Sequence, residues 1–211
     1  MKRIVLLALL ALALPMAAFA TSTVDFGDLS GTLVGTTSGM TITATLNSVN
    51  GLAGLGLVQG ADLGTISISL PTAISTNTLL NGGTISAAGS SFTVTSLGSD
   101  GLPGGTLFKG TFTGPVVWTA TPLGNGTTLY ALSCLGTCTV SGALYNGVTT
   151  TTVVGTGFQM AVNTGKGSFP GTIGITSGDL TVSSVPEPGT LALLGTGLVG
   201  LAETLRRKLK S

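Results

Sequence analysis

Apolar and hydroxyl side chains alternate along the middle of this chain. In segments 41–46, 65–70 and 92–95 every second residue is Ile, Leu, Val, Phe or Ala, and the residues between them are Thr or Ser. A period of two residues is typical of a β-strand that buries one face and exposes the other to solvent. The pattern therefore predicts one strand in each of the three segments.

Further strands are predicted where short runs rich in β-branched and aromatic residues lie between turn residues. These runs span residues 106–113, 116–120, 127–133, 137–145, 148–154, 158–162, 172–175 and 180–183. The Asn-Gly pairs at 125–126 and 146–147 are typical of tight hairpin turns. Segment 51–60 breaks the alternation, and it is either an apolar loop or a pair of strands in close backbone approach.

The many short strands and the lack of a convincing amphipathic helix predict an all-β domain. An antiparallel β-sandwich or a jelly-roll-like fold is the architecture that such a series favours. A parallel β-solenoid is the alternative. Against the solenoid, the sequence shows no strict repeat at a fixed period, which stacked repeats normally display.

The first 20 residues have the organisation of a secretory signal peptide. Lys2 and Arg3 precede an apolar run at 4–14, and small residues lead to a predicted cleavage between Ala20 and Thr21. The apolar run is too short to cross a bilayer, which needs about 20 residues. Residues 1–20 therefore predict export through Sec-type machinery, cleavage by signal peptidase, and a β-rich extracytoplasmic domain at 21–184.

A second apolar run lies near the other end of the chain. A predicted helix at 189–205 follows the motif Val185-Pro186-Glu187-Pro188 and precedes a basic tail at 206–210 that contains Arg206, Arg207 and Lys208. At about 1.5 Å per residue this helix extends about 25 Å, which spans a bilayer core of about 30 Å only marginally. Cations favour the cytoplasmic side, so the tail predicts that everything before Pro186 lies outside the membrane.

The proline-glutamate-proline motif, the apolar helix and the basic tail, in that order, resemble the PEP-CTERM protein-sorting segment of bacterial surface proteins. The same segment is also catalogued as the ice-binding protein C-terminal domain. The resemblance implies recognition by an exosortase, an integral-membrane protease, with processing near the motif at 185–188. It also implies transient anchoring in the inner membrane, followed by release or transfer to the cell surface. Domains that precede such segments differ widely, so the resemblance implies no activity for residues 21–184.

Charge and composition limit the chemistry of the predicted domain. The chain contains no His, which excludes Ser-His-Asp and Cys-His catalytic centres and zinc sites with His ligands. Between residues 21 and 184 two Lys oppose five Asp, so the net charge is near −3. The ionisable residues concerned are Lys109, Lys166, Asp25, Asp28, Asp62, Asp100 and Asp179. Without a basic cluster, we expect no binding to nucleic acid.

The remaining candidates for chemistry are two cysteines and the aspartates. Cys134 and Cys138 are predicted to form a disulfide in the oxidising compartment that export implies. The alternatives are a redox pair, which lacks the usual spacing, and a metal site, for which two thiolates without His are poor ligands. Asp62, Asp100 and Asp179 fall in apparent turns, where Asp is common, so we interpret the five aspartates as structural. The sequence thus predicts no catalytic residue, metal or cofactor, and a protein that is not an enzyme.

Rows of threonine suggest a binding surface as an alternative to a purely structural role. These rows are Thr41/Thr43/Thr45, Thr93/Thr95, Thr111/Thr113 and 149–152. On a regular sheet face they could match a repeated lattice such as ice or a crystalline polysaccharide, although solvent-facing strand residues explain the same pattern. The few aromatic residues are predicted to lie in the core and not on a sugar-stacking platform. Asn125-Gly126-Thr127 matches the acceptor sequon for N-glycosylation.

Together these patterns predict an exported bacterial surface or matrix protein with a non-catalytic structural or adhesive role. The alternative is a module that binds extracellular polysaccharide or ice through its threonine-rich strand faces.

Overall fold

The computed structural model describes residues 23–52, 55–87, 89–134, 140–145, 150–165 and 169–183, with backbone alone at residues 29, 140–143 and 150–158. These residues form eleven strands and one short helix. The strands are β1 (Thr23–Thr36), β2 (Gly39–Asn50), β3 (Val58–Leu70), β4 (Gly83–Ile85), β5 (Ser91–Ser96), β6 (Gly105–Phe112), β7 (Val116–Pro122), β8 (Thr128–Cys134), β9 (Val140–Tyr145), β10 (Thr150–Thr164) and β11 (Gly171–Ser183). The helix α1 spans Thr76–Asn81.

All eleven strands belong to one sheet, and every pairing between them is antiparallel. The order is β11-β1-β2-β3-β5-β6-β9-β10-β8-β7-β4, and β10 also pairs with β11. The additional pairing closes a circuit of eight strands, from which β8, β7 and β4 extend. The prediction of an antiparallel all-β fold is confirmed, and antiparallel pairing among the described strands argues against the parallel solenoid.

The sheet curls so that distant strands face one another across a common core. Phe26 on β1 and Phe108 on β6 are four strand positions apart, a distance of about 19 Å in a flat sheet with strands about 4.8 Å apart. Their rings nevertheless stack with centroids 6.4 Å apart. Phe92 on β5 joins this group, with its ring 4.5 Å from that of Phe108. Opposite parts of the sheet are therefore joined through aromatic contacts.

A second aromatic group lies where the three-strand extension meets the rest of the core. Trp118 on β7 stacks on Tyr130 of β8 at 4.9 Å, and Tyr130 meets the edge of Phe169 at 5.4 Å. The indole nitrogen of Trp118 donates a hydrogen bond to the carbonyl of Leu79 in α1. These aromatic side chains are buried, which confirms the prediction that the described aromatics build the core.

The alternating pattern of the sequence corresponds to the two faces of the sheet. On β2 the side chains of Ile42, Ala44 and Leu46 are buried, and those of Thr41 and Thr43 are exposed. The strands predicted at 41–46, 65–70 and 92–95 form parts of β2, β3 and β5. Those predicted at 106–113, 116–120, 127–133 and 137–145 correspond to β6, β7, β8 and β9, except that residues 135–139 lie outside the described part of the chain.

The sequence pattern predicts some strands as shorter segments and misses other elements. The segments predicted at 148–154 and 158–162 join in β10, and those at 172–175 and 180–183 join in β11. β1, β4 and α1 were not predicted. In segment 51–60 the described residues form a turn followed by the start of β3, with Leu52 buried and Leu57 exposed.

Register shifts interrupt the ladders on both sides of β2. The β1–β2 pairing shifts between Gly27 and Gly31, and the β2–β3 pairing shifts between Leu46 and Ser48. A Cβ atom at Gly31 would lie 2.2 Å from the carbonyl oxygen of Thr43. Only a glycine permits so close an approach of two backbones at this shift.

Candidate functional site

The outer face of β1, β2, β3, β5 and β6 carries a regular array of hydroxyl groups, which we term the hydroxyl face. Its members are exposed or half-buried, and they alternate with core residues along their strands. They are Ser30, Thr32, Thr41, Thr43, Thr45, Thr65, Ser67, Ser69, Ser91, Thr93, Thr95, Thr106 and Thr111.

The strand register aligns these residues in three rows that run across the strands. The first row joins Thr41, Ser69, Ser91 and Thr111; the second joins Thr32, Thr43, Ser67 and Thr93; the third joins Thr45, Thr65, Thr95 and Thr106. Neighbours within a row are about 4.8 Å apart, and successive rows are about 6.7 Å apart along the strands. A shift between Val94 and Thr95 precedes the last member of the third row. The result is a two-dimensional array of hydroxyl groups.

Most of these hydroxyl groups are available for external partners. Among the described residues, the hydroxyl face makes two side-chain hydrogen bonds, both 3.4 Å long. One runs from Ser30 Oγ to Thr45 Oγ1, and the other from Thr95 Oγ1 to the Thr65 carbonyl. A hydroxyl group both donates and accepts hydrogen bonds, so the face offers both functions at each position.

The three rows contain no charged residue, although Asp25 lies on the same outer face of β1. Lys109 lies beside Thr93 at the end of the second row and is its one charged neighbour in register among the described strands. Such a surface has little electrostatic attraction for nucleic acid or for acidic polymers.

The structure brings most of the predicted threonine rows together. Thr41, Thr43, Thr45, Thr93, Thr95 and Thr111 all belong to the hydroxyl face. Thr113 follows the end of β6, and the predicted row at 149–152 falls in β10 and in the residues before it, whose side chains are not described. The predicted rows did not include the serines, Thr32, Thr65 or Thr106, although the alternation of Thr65, Ser67 and Ser69 with Ile66 and Ile68 was visible.

The five aspartates do not converge on one cleft. Asp25 and Asp28 lie on β1 and Asp179 on the neighbouring β11, whereas Asp62 lies on β3 and Asp100 in a turn. The interpretation of Asp62 and Asp179 as turn residues was therefore wrong, because both lie within strands. Asp25 and Asp179 point to the outer face, and Asp28 points to the core. Within the described part of the chain, no three potential ligands cluster closely enough to hold a metal ion.

Asp28 is a buried carboxyl group, 3% exposed. Neither of its side-chain oxygens has a hydrogen-bond partner among the residues that the structure describes. Its Oδ2 occupies the space above Gly178 where a side chain would otherwise lie. Burial, with a smaller contribution from the nearby Asp179 charge, raises the pKa of Asp28 to about 7. Burial and the charge of Asp25 also raise the pKa of Asp179.

A cavity of about 210 Å³ lies near β4 and the end of β6. Its lining residues are Ser86, Ala87, Phe112, Thr113, Gly114 and Pro115. None of them carries a titratable side chain. The cavity therefore lacks the pair of carboxylates that acid–base hydrolysis of a glycoside would need.

Cys134 is disulfide-bonded at the buried end of β8. The second cysteine of the chain, Cys138, lies outside the described residues.

The end of the chain matches a known protein-family motif. The model of the PEP-CTERM protein-sorting motif matches residues 184–208, which include Val185-Pro186-Glu187-Pro188 and the basic residues Arg206, Arg207 and Lys208. This chain carries a PEP-CTERM sorting motif. PEP-CTERM proteins are exported and sorted to the cell surface, and the motif implies processing by an exosortase. No curated protein and no solved structure matches the chain.

The PEP-CTERM motif and the predicted signal peptide lie outside the described residues, as do the cleavage position at Ala20 and Thr21 and the predicted helix at 189–205. Within the described ranges, no helix combines the length and the apolar character that crossing a bilayer requires.

Proposed function

We propose that this exported PEP-CTERM protein has a non-catalytic, adhesive role, in which the hydroxyl face contacts an uncharged extracellular polysaccharide. The observation that carries the proposal is the alignment of Thr and Ser side chains in three rows across neighbouring strands. A surface position favours such a role, because a sorted protein meets the extracellular matrix.

The hydroxyl face and a neutral polysaccharide carry complementary hydrogen-bonding groups. Sugar hydroxyl groups donate and accept hydrogen bonds, as do the hydroxyl groups of Thr and Ser. A polysaccharide repeats the same groups along its length, so many weak contacts form together and raise the avidity. A nearly uncharged face also spares a neutral polymer the cost of burying an unpaired charge against it.

Three features of the domain support a non-catalytic role. Asp28 is enclosed in the core, while Asp25 and Asp179 lie on the opposite face of the same two strands. The cavity beside Phe112 has no titratable lining. The chain has no His, so the usual imidazole base is missing. These features favour binding at the hydroxyl face over catalysis as the function of the domain.

Ice is a second candidate, because the array repeats in two dimensions. A crystalline surface presents hydrogen-bonding groups at fixed spacings in two directions. The hydroxyl face does the same, with spacings of about 4.8 Å within a row and about 6.7 Å between rows. A polysaccharide needs the match along its chain direction only. A direct comparison of the two ligands separates the candidates.

Placing charge in the centre of the hydroxyl face should abolish binding. We expect the Thr43→Lys, Thr95→Lys double variant to bind the insoluble neutral polysaccharide of the host's own matrix at least about tenfold more weakly, which corresponds to 1.4 kcal/mol. The reason is that two ammonium groups would lose hydration against an uncharged surface. Sedimentation of the variant with the insoluble polymer measures the loss.

The matched control is the Thr119→Lys, Thr121→Lys double variant, which places the same two charges on exposed strand positions of β7, outside the hydroxyl face. The control should bind as the wild type does. Equal binding by the double variant and the control would contradict the polysaccharide role. Incorporation of the wild type, but not the double variant, into slowly growing ice would favour the second candidate.

Removal of residues 185–211 should abolish surface sorting and leave the β-domain folded. The sorting motif matches residues 184–208, whereas the last strand ends at Ser183. We expect the truncated chain to leave the surface fraction in cell fractionation while keeping the circular dichroism of a β-protein. Lys208→Arg preserves the positive tail and should be sorted normally. Undiminished surface display of the truncated chain would refute the role of the tail.

A further inference from the structure

The hairpin between β7 and β8 presents an asparagine at an exposed tip. Residues 123–126 are exposed, and the Leu123 backbone N–H donates a 3.0 Å hydrogen bond to the carbonyl of Thr127. Gly124 and Gly126 adopt φ of 75° and 85°, a conformation that favours glycine. The tip is thus a closed, well-defined loop with Asn125 between the two glycines.

The side chain of Asn125 is oriented by the third residue of its sequon. Its Oδ1 accepts a 3.0 Å hydrogen bond from the backbone N–H of Thr127 and a second bond from the Thr127 hydroxyl group. Two donors on Oδ1 stabilise the negative charge that the amide acquires when Nδ2 gives up a proton. The arrangement therefore increases the acidity of the Nδ2–H group.

The tip also has room for a large substituent. A Cβ atom placed at Gly124 would meet no other atom within 4 Å. Other asparagines of the described chain are less suitable, because Asn81 and Asn163 donate their Nδ2 protons to Asn77 and Ser177. Neither of these two begins an Asn-x-Ser/Thr sequence.

We propose that Asn125 is an N-glycosylation site, modified during export by transfer of an oligosaccharide from a lipid-linked phosphate donor. In the transfer, a bond forms between Nδ2 and the anomeric carbon of the first sugar, and the bond from that carbon to the phosphate oxygen breaks. The electron pair leaves with the lipid phosphate, and the Nδ2 proton passes to a base of the transferase. No oxidation or reduction takes place. The Thr127 hydroxyl remains unmodified.

The modification is independent of the hydroxyl face. In the sheet order, β7 and β8 are separated from β1 by β10 and β11. We therefore expect Asn125→Gln to bind the matrix polysaccharide as the wild type does, so a failure of either proposal leaves the other testable.

Mass spectrometry of the protein purified from its native host tests the glycosylation site. We expect an oligosaccharide mass on the peptide that contains Asn125, its loss in Asn125→Gln and in Thr127→Val, and its retention in Thr127→Ser, which keeps the hydroxyl group. Equal secreted amounts of the variants show that they fold, since the tip lies outside the core. An unmodified Asn125 in the wild-type protein, or a glycan on Thr127 itself, would overturn the proposal.

Discussion

Asp28→Asn should make the domain more stable above neutral pH and remove most of its loss of stability between about pH 4 and pH 7. In the folded protein burial raises the pKa of Asp28 from 3.8 to about 7. Between these two values the folded state holds a proton that the unfolded state has released. The free energy of unfolding therefore falls as pH rises through this range and levels off above it.

The size of the expected stability loss follows from the difference between the pKa values of Asp28 in the unfolded and folded states. We expect the wild type to lose about 2 to 4 kcal/mol across the range, the lower end allowing for solvent screening. Asn cannot ionise and has nearly the same shape, so the variant should show a much flatter profile. A smaller slope should remain, because the pKa of Asp179 is also raised. Urea unfolding at a series of pH values, with the disulfide intact, measures both profiles.

Asp62→Asn is the matched control, since it removes an exposed carboxylate from β3. Its profile should follow that of the wild type. If the Asp28→Asn profile kept the full wild-type slope, Asp28 would not be the group that titrates on unfolding.

Phe108→Ala should remove about 3 to 5 kcal/mol from the free energy of unfolding. Phe108 is fully buried, stacks on Phe26 at 6.4 Å and contacts Phe92 at 4.5 Å. Its loss would leave a cavity between two parts of the sheet that contact each other through this ring. For a domain with a total stability of about 5 to 15 kcal/mol, this is a large fraction. Chemical denaturation of the purified protein checks the value.

Two further substitutions on β6 serve as controls for Phe108→Ala. Phe108→Leu retains apolar volume and should cost less than the alanine variant. Thr106→Ala removes an exposed hydroxyl and should stay within about 0.5 kcal/mol of the wild type. A cost below about 1 kcal/mol for Phe108→Ala would show that the two parts of the sheet do not depend on this contact.

The sequence was most informative where the backbone is regular. On β2, β3 and β5 one residue in two is buried, so the alternation of Thr or Ser with Ile, Leu and Val was enough to locate the strands. On β1 the register shift near Asp28 and the glycines at 27 and 31 disrupt the alternation, and the strand was missed. Gly178 similarly divided β11 into two apparent segments.

The hydroxyl face could be predicted only along single strands. The sequence places Thr41, Thr43 and Thr45 at alternating positions, but it does not specify that Thr43 lies opposite both Thr32 and Ser67. Those neighbours depend on the register of strands distant in the sequence, which long-range packing determines. The burial of Asp28 could not be predicted for the same reason, because Asp in an isolated sequence indicates a turn more often than a core position.

The closed circuit of eight strands also affects how readily exported copies of this protein associate with one another. Unpaired strand edges are templates for association with other chains, and a secreted protein at high local density meets many copies of itself. In the described part of this sheet, the terminal strand is β4, which is three residues long. β11, at the other end of the order, is paired on both sides by β1 and β10. β4 pairs with Val116–Trp118 of β7, so the described edge at this end of the sheet consists of short segments, which limits the backbone available for the growth of amyloid.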